Sequence, residues 1–268
     1  VIQMKRTIVF LIEYDGTNYS GWQRQKNANS VQETIEKAIE SVSGRKVFVI
    51  AGGRTDAGVH AFGQVAHSRI DEDFPIPERK LCSAINSVLP PDIQILEAKI
   101  IESEFHSTKD AIAREYQYFV TTKKSVFLRN YSLFFPFELN LDVLNNCAKV
   151  FLGEHDFRSF AKNNPSTKNY VCNIEKSRWE KFDDILFVYT IKSNRFVYGL
   201  VRSLVGIMLD VARGRRSIEE VSASLASGKK TFPSPLAQAR GLFLKKIYYP
   251  TEKEFFKKDL DFKNLFLI

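Results

Sequence analysis

The residues most able to carry chemistry lie in Gly53-Arg54-Thr55-Asp56-Ala57-Gly58-Val59-His60, a glycine-rich stretch between two apolar runs. Glycines accept positive φ and let a ligand approach the backbone closely, and a charged cluster on a short loop between rigid elements is where reactions are commonly placed. A lone aspartate there can act as a nucleophile or a base, and a partner arginine keeps a carboxylate ionised at neutral pH. Tyr116 and Tyr118 alternate along a later strand, so both face one way and offer a ring and a hydroxyl. The same residues also fit a tight turn carrying a surface Arg–Asp pair, and spacing alone names no reaction.

Other chemistries lack their residues. No G-x-x-x-x-G-K-[ST] occurs, and Gly228-Lys229-Lys230 has neither the spacing nor the hydroxyl of a phosphate loop. No G-x-G-x-x-G opens a helix, and no serine elbow is present. His60, His67, His106 and His155 are scattered with no cysteine near them, so no metal is expected. Cys82, Cys147 and Cys172 are too far apart for a zinc pair and odd in number, which suits buried free thiols. The net charge of +8 and pI near 9.3 suit a polyanionic partner such as nucleic acid, or a lysine-rich composition with no such meaning. No run approaches the roughly 18 apolar residues of a membrane span, so no membrane association is expected. The strand-like pattern from Thr7 leaves no room for a secretory segment, which makes the cytoplasm the expected compartment.

The elements that must position these residues follow from periodicity. Thr7 to Tyr14 is a strand, leading into the aromatic and amide loop Asp15 to Gln25. Ser30-Val31-Gln32-Glu33 is a capping box opening a helix that buries Ile35, Ala38, Ile39 and Val42 and ends near Gly44. Lys46 to Ile50 and the run from Gly63 read as strands flanking the glycine loop. Pro77 begins a second helix, and Ile93 to Ile100 is a strand. This order is a split βαβ, ferredoxin-like arrangement. Residues 102–112 are a crossover, and a second set follows: strand 113–120, helix 140–151, loop 153–160, a loop at Asn163 to Ser166, strands 170–181 and 185–192, helix 195–213 carrying Arg202, helix 217–227 and strand 241–249. The tail from Lys245 to Lys263 is basic with aromatics interleaved, the pattern of a solvated face.

Gly53 to Ala61 with Gly63-Gln64-Val65 resembles the signature of the TruA-type tRNA pseudouridine synthases, the tRNA pseudouridine synthase A family. Tyr14-Asp15-Gly16, Gly21-Trp22-Gln23-Arg24-Gln25, Val31-Gln32, Phe105-His106, Arg114-Glu115-Tyr116-Gln117-Tyr118, Gly153-Glu154-His155-Asp156-Phe157, Ser159-Phe160, Val201-Arg202, Val205-Gly206 and Gly241-Leu242-Phe243-Leu244 resemble it in the same order. The resemblance implies isomerisation of uridine to pseudouridine in tRNA, at positions 38, 39 and 40 of the anticodon stem-loop, by a homodimer without metal or organic cofactor. It also implies an α+β fold of two ferredoxin-like halves, 1–105 and 106–268, sharing one extended, mostly antiparallel sheet with helices on one face and a catalytic cleft between them.

By the same resemblance Asp56 falls on the catalytic aspartate, Tyr116 on the tyrosine of the target base, Arg202 on the helix arginine paired with the aspartate, and Arg54 on the arginine beside it. Gly199 and Leu200 depart from the His and Met often found there. A non-catalytic RNA-binding protein on this scaffold, or a synthase with another RNA target, is the alternative reading.

Overall fold

A computed structural model describes residues 6–260 other than Ser166, Ser234 and Asp259. The fold is α+β, with ten strands and five α-helices among the described residues. By packing the chain divides into two units. One runs to Ile112 and resumes at Leu244, and the other is Ala113–Phe243. The described chain from Leu244 to Leu260 therefore groups with the first unit. Of the basic tail, the part beyond Leu260 lies outside the described residues, as does Ser166 in its loop.

In the first unit β1 (Arg6–Tyr14) is an apolar strand with Ile8 to Ile12 all buried. It lies antiparallel between β3 (His60–Ile70) and β4 (Ile93–Ile101). Helix α1 (Val31–Ser43) starts where the Ser30 side chain accepts the Glu33 N–H. Only that half of the expected capping box forms, because the Glu33 carboxylate turns to Lys37 at 3.0 Å. The helix ends at Gly44, whose φ of 67° is the left-handed conformation expected of a C-terminal glycine. Helix α2 (Glu78–Asn86) follows Pro77, and the Asn86 amide ties its end to Ile95 of β4 through bonds of 2.8 and 2.9 Å.

The strand expected over Lys46 to Ile50 shrinks to β2 (Ile50–Ala51), paired with Ala66 and His67 of β3. The physical reason is a competing acceptor. The Val49 N–H donates to the Glu36 carboxylate of α1 at 2.8 Å, and Phe48 is 59% exposed. The rest of that β3 edge is met by β10 (Leu242–Tyr248), which sits next to β3 in the strand order.

The second unit repeats the pattern. Its strand order is β5 (Ala113–Thr121), β9 (Leu186–Ser193), β8 (Val171–Lys181) and β7 (Gly153–Asp156), antiparallel throughout, with β6 (Leu133–Phe134) parallel on the other side of β5. Gly153 to Asp156, expected as loop, is thus a short edge strand. Helix α3 (Leu141–Lys149) is capped by Asn140, and α5 (Ile218–Ser227) by a complete Ser217–Glu220 capping box and by Gly228 at its end. Helix α4 (Leu200–Ala212) starts five residues later than the apolar pattern suggests. Gly199 at φ 74° breaks the pattern, and a Cβ there would sit 3.2 Å from the Lys162 Cβ. Ten of the thirteen α4 residues are buried, as in a helix packed on most of its circumference. Cys147 and Cys172 are buried, with burial pushing the Cys147 thiol up to about 12, and Cys82 is half-buried. Among the described residues no helix is long and apolar enough to cross a membrane.

Candidate active site

The Asp56 loop is held by groups from outside it. Gln64, fully buried on β3, clasps the Gly53 peptide in both directions: the Gly53 N–H donates to Gln64 Oε1 at 3.2 Å, and Gln64 Nε2 donates to the Gly53 carbonyl at 2.6 Å. The Trp22 N–H donates to the Thr55 carbonyl at 3.1 Å, and the Gly58 N–H to the Tyr19 carbonyl at 3.2 Å. A turn from Asp56 closes with the Val59 N–H on the Asp56 carbonyl at 3.1 Å, and Gly58 takes a φ of 73°. The Thr55 hydroxyl bonds the Tyr14 hydroxyl at 2.7 Å. Burial pushes the Tyr14 phenol up to about 12 against the pull of its bonds to Thr55 and Gln64, so it stays protonated at neutral pH.

Close approach is what the neighbouring glycines provide. A Cβ on Gly16 would lie 2.0 Å from the Val59 carbonyl oxygen, and one on Gly21 would lie 2.6 Å from the Thr55 oxygen, on a backbone at φ 98°. The aromatic loop after β1 thus lies directly against the aspartate loop and fixes its backbone. In this frame Thr55 is buried, Asp56 half-buried and Arg54 exposed. Among the described residues Arg54 has no hydrogen-bond or ion-pair partner. A half-buried carboxylate beside a solvent-facing guanidinium, on a loop braced at both ends, can present one charge to a substrate without reorganising.

The histidines have structural places. The Gly16 N–H donates to His60 Nδ1 at 3.1 Å, and His60 is buried. His67 is also buried, with Nδ1 2.8 Å from the Ser107 hydroxyl, and Ser107 in turn donates to the Ile50 carbonyl. Burial first, then the neighbouring His106 and Arg69, bring the His67 pKa down to about 4, so it is neutral. Among the described residues no three His, Cys, Asp or Glu side chains gather as metal ligands would.

The second unit carries the other two expected residues. Tyr116 is buried on β5 opposite Ile191, with its ring edge-on to Phe196 at 5.1 Å. Tyr118 shares its face but goes to the core. Its hydroxyl donates to the Gln238 carbonyl at 2.7 Å, and a Cβ on Gly241 would press its ring at 2.7 Å. Burial raises the Tyr118 phenol well above its usual range, against the pull of Arg202 and Arg240. Arg202, in the first turn of α4, is half-buried and donates from Nε to the Ala237 carbonyl at 2.7 Å, while its own carbonyl accepts the Ala237 N–H at 3.1 Å. Gly206, one turn on, admits Pro235, whose oxygen would lie 2.0 Å from a Cβ there. Leu200, one of the departures from the family pattern, is a core residue. Arg54 and Asp56 thus share one braced loop of the first unit, and Tyr116 and Arg202 sit on β5 and α4 of the second. Gln64, Thr55, Tyr14 and Trp22, which brace the loop, fall in the quoted motifs but were given no role there, and Phe196 beside Tyr116 was given none either.

Comparison with known proteins places the chain in a family. A family model described as tRNA pseudouridine synthase matches residues 11–108 and 147–250, which include the Asp56 loop and Arg202 and leave Tyr116 between the two segments. Three curated relatives carry the name tRNA pseudouridine synthase A. The one from Thermoanaerobacter sp. (strain X514) is 38% identical over 91% of this chain and 100% of its own length. That from Prochlorococcus marinus (strain MIT 9312) is 39% identical over 99% and 98%, and that from Bacteroides thetaiotaomicron 36% over 93% and 92%. Among solved structures, the archaeal box H/ACA sRNP Nop10-Cbf5 complex aligns with 92% of this chain and 48% of its own at 11% identity, with a TM-score of 0.38 that carries no argument. The class is therefore an RNA-modifying isomerase. The chain belongs to the tRNA pseudouridine synthase family, enzymes that convert uridine in tRNA to pseudouridine.

Proposed function

We propose that Asp56 is the catalytic carboxylate of this isomerisation and that the target uridines lie in the anticodon stem-loop, at positions 38, 39 and 40. The observation that carries the reading is the bracing of the aspartate loop by Gln64 and Trp22, which leaves Asp56 half-buried beside an exposed Arg54. The reaction breaks the N1–C1′ bond and forms C5–C1′. The proton on C5 leaves and N1 gains one, so product and substrate have the same atoms and no net electron change. A redox cofactor has nothing to add to that balance. The carboxylate serves by attacking the base or the sugar, or by assisting elimination at the sugar, and each route needs it held still and charged.

Arg54 is suited to a phosphate oxygen, because an exposed guanidinium offers paired donors. Tyr116 is assigned to the target base, its ring stacking on uracil and its hydroxyl placed to help the C5 proton leave. Arg202 is assigned as a further substrate-binding cation. The basic composition, +8 overall, supports a tRNA partner, and we place the working enzyme in the cytoplasm as a homodimer, the form the family resemblance implies.

The test is tritium release from tRNA labelled at uracil C5. Asp56→Asn and Asp56→Ala are expected to bind tRNA as the parent does and to release no tritium in single-turnover conditions. Release at the parental rate in either variant would overturn the assignment.

A further inference from the structure

The face of α1 that carries Gln32 and Glu36 is polar yet buried, with Gln32 1% and Glu36 3% exposed. Residues four apart stand one above the other on a helix, and here the Gln32 Nε2 donates to Glu36 Oε1 at 3.0 Å. The pair reaches in two directions. Toward the loop after β1, Gln32 Oε1 accepts the Arg24 N–H and the Gln23 amide, each at 3.0 Å, and Glu36 Oε2 pairs with the Arg24 guanidinium. Toward the strand that enters the glycine loop, Glu36 Oε1 accepts the Val49 N–H at 2.8 Å.

The same helix end grips the backbone between these points. The Val31 N–H donates to the Gly21 carbonyl and the Gln32 N–H to the Trp22 carbonyl, while the Trp22 N–H is the one that holds the Thr55 carbonyl. One peptide unit therefore separates the α1 end from the residue next to Asp56. A buried carboxylate is costly unless every oxygen is matched, and replacing it with an apolar residue is commonly neutral or better for stability. Two of its three partners here, Arg24 and Val49, lie on the two segments that frame the aspartate loop, and the third, Gln32, is on its own helix.

We propose that Glu36 is a positioning residue for the reaction. It holds Arg24 and Val49 in one register and so sets, through Trp22 and Thr55, the position from which Asp56 acts. The inference rests on Asp56 being the reacting carboxylate.

Glu36→Gln separates the two arms. A glutamine oxygen still accepts from Val49, while its amide faces the Arg24 guanidinium donor to donor. The expected result is a fall of about tenfold in the single-turnover rate with tRNA affinity and KM unchanged, the pattern of lost transition-state placement. Arg24→Ala should give the same loss, and the double variant no further loss, because both remove one link. Glu36→Asp, which keeps the charge, should recover part of the rate. A purely structural role for Glu36 would lower the melting temperature and the fraction of active enzyme without moving the rate per active site, titrated by burst amplitude. That outcome, or a parental rate in Glu36→Gln, would overturn the proposal. Inactive Asp56→Asn together with a parental Glu36→Gln would sink this inference alone, whereas active Asp56→Asn would sink the catalytic reading on which it rests.

Discussion

The connection from β2 to β3 and the connection from β8 to β9 hold the same place in their units. In each, the third strand of the pattern pairs with the first and carries the second on its other side. The two connections are nevertheless built differently. Between β8 and β9 the chain reverses tightly, and the turn's own aspartate closes it: Asp183 Oδ1 accepts the Ile185 and Leu186 N–H groups, each at 2.8 Å. Asp184 beside it is exposed and paired with Lys181 at 3.0 Å, which holds its carboxyl below the usual range. Between β2 and β3 the second strand is cut to two residues, and the span Gly52 to Val59 is held by Gln64, Trp22 and Tyr19. A carboxylate in a reversal is by default a backbone cap. Where outside groups brace the loop, its backbone is held by partners far along the chain.

The largest effect expected from breaking this contrast is at Gly21. Alanine there must adopt φ 98° with its Cβ 2.6 Å from the Thr55 oxygen, so either the Trp22 loop or the aspartate loop must move. Urea unfolding is expected to show a loss of about 2–3 kcal/mol, the upper range of overpacking, and the single-turnover rate to fall with it. Gly44→Ala is the control in the same unit. It has a similar positive φ of 67° and nothing within 4 Å, so it should cost only about 1–2 kcal/mol of backbone strain and leave the rate alone. Equal rate losses in the two would show that positive φ, and not the brace, is what Gly21 supplies.

Next in size is the clasp. Gln64→Leu leaves both the Gly53 N–H and its carbonyl without the amide that now serves them. Uncovering buried polar groups costs about 1–3 kcal/mol, and the rate should fall while tRNA affinity stays. A variant that loses stability but keeps its rate would mean that the clasp holds the fold and not the aspartate.

These bracing groups also mark where the sequence stopped being legible. Local signals survived well: the glycines flanking Asp56 identified the loop, the strands 170–181 and 185–192 closely match β8 and β9, and the helix over 217–227 is α5. Failures came from partners distant along the chain. The apolar run at Val47 to Ile50 has strand character, yet the Val49 donor is taken by Glu36 thirteen residues earlier. Gln64 sits in an alternating strand pattern, and nothing in that pattern says that its amide closes on a peptide eleven residues back. The helix pattern from Arg195 has no interruption that hydrophobic period can register, because what stops it is the Gly199 backbone against Lys162. Asp56 itself stood out by residue type and setting. Its role came from the ordered resemblance, since a carboxylate in a glycine loop is chemically compatible with a plain turn.

The smallest effect, and the sharpest discriminator, belongs to the plain turn. Asp183→Ala removes an acceptor from the Ile185 N–H, whose bond is exposed and open to water, and from the Leu186 N–H, whose bond is half-buried. The net value of such bonds is about 0.5–1.5 kcal/mol, so the unfolding midpoint should shift slightly and the rate not at all. The backbone still has the Phe182 N–H on the Leu186 carbonyl at 2.8 Å to keep the hairpin closed. If Asp183→Ala lowered the rate per active site as far as Gln64→Leu does, the two reversals would not differ in the way their hydrogen bonds indicate. The bracing of the first unit's loop would then not be what sets the rate.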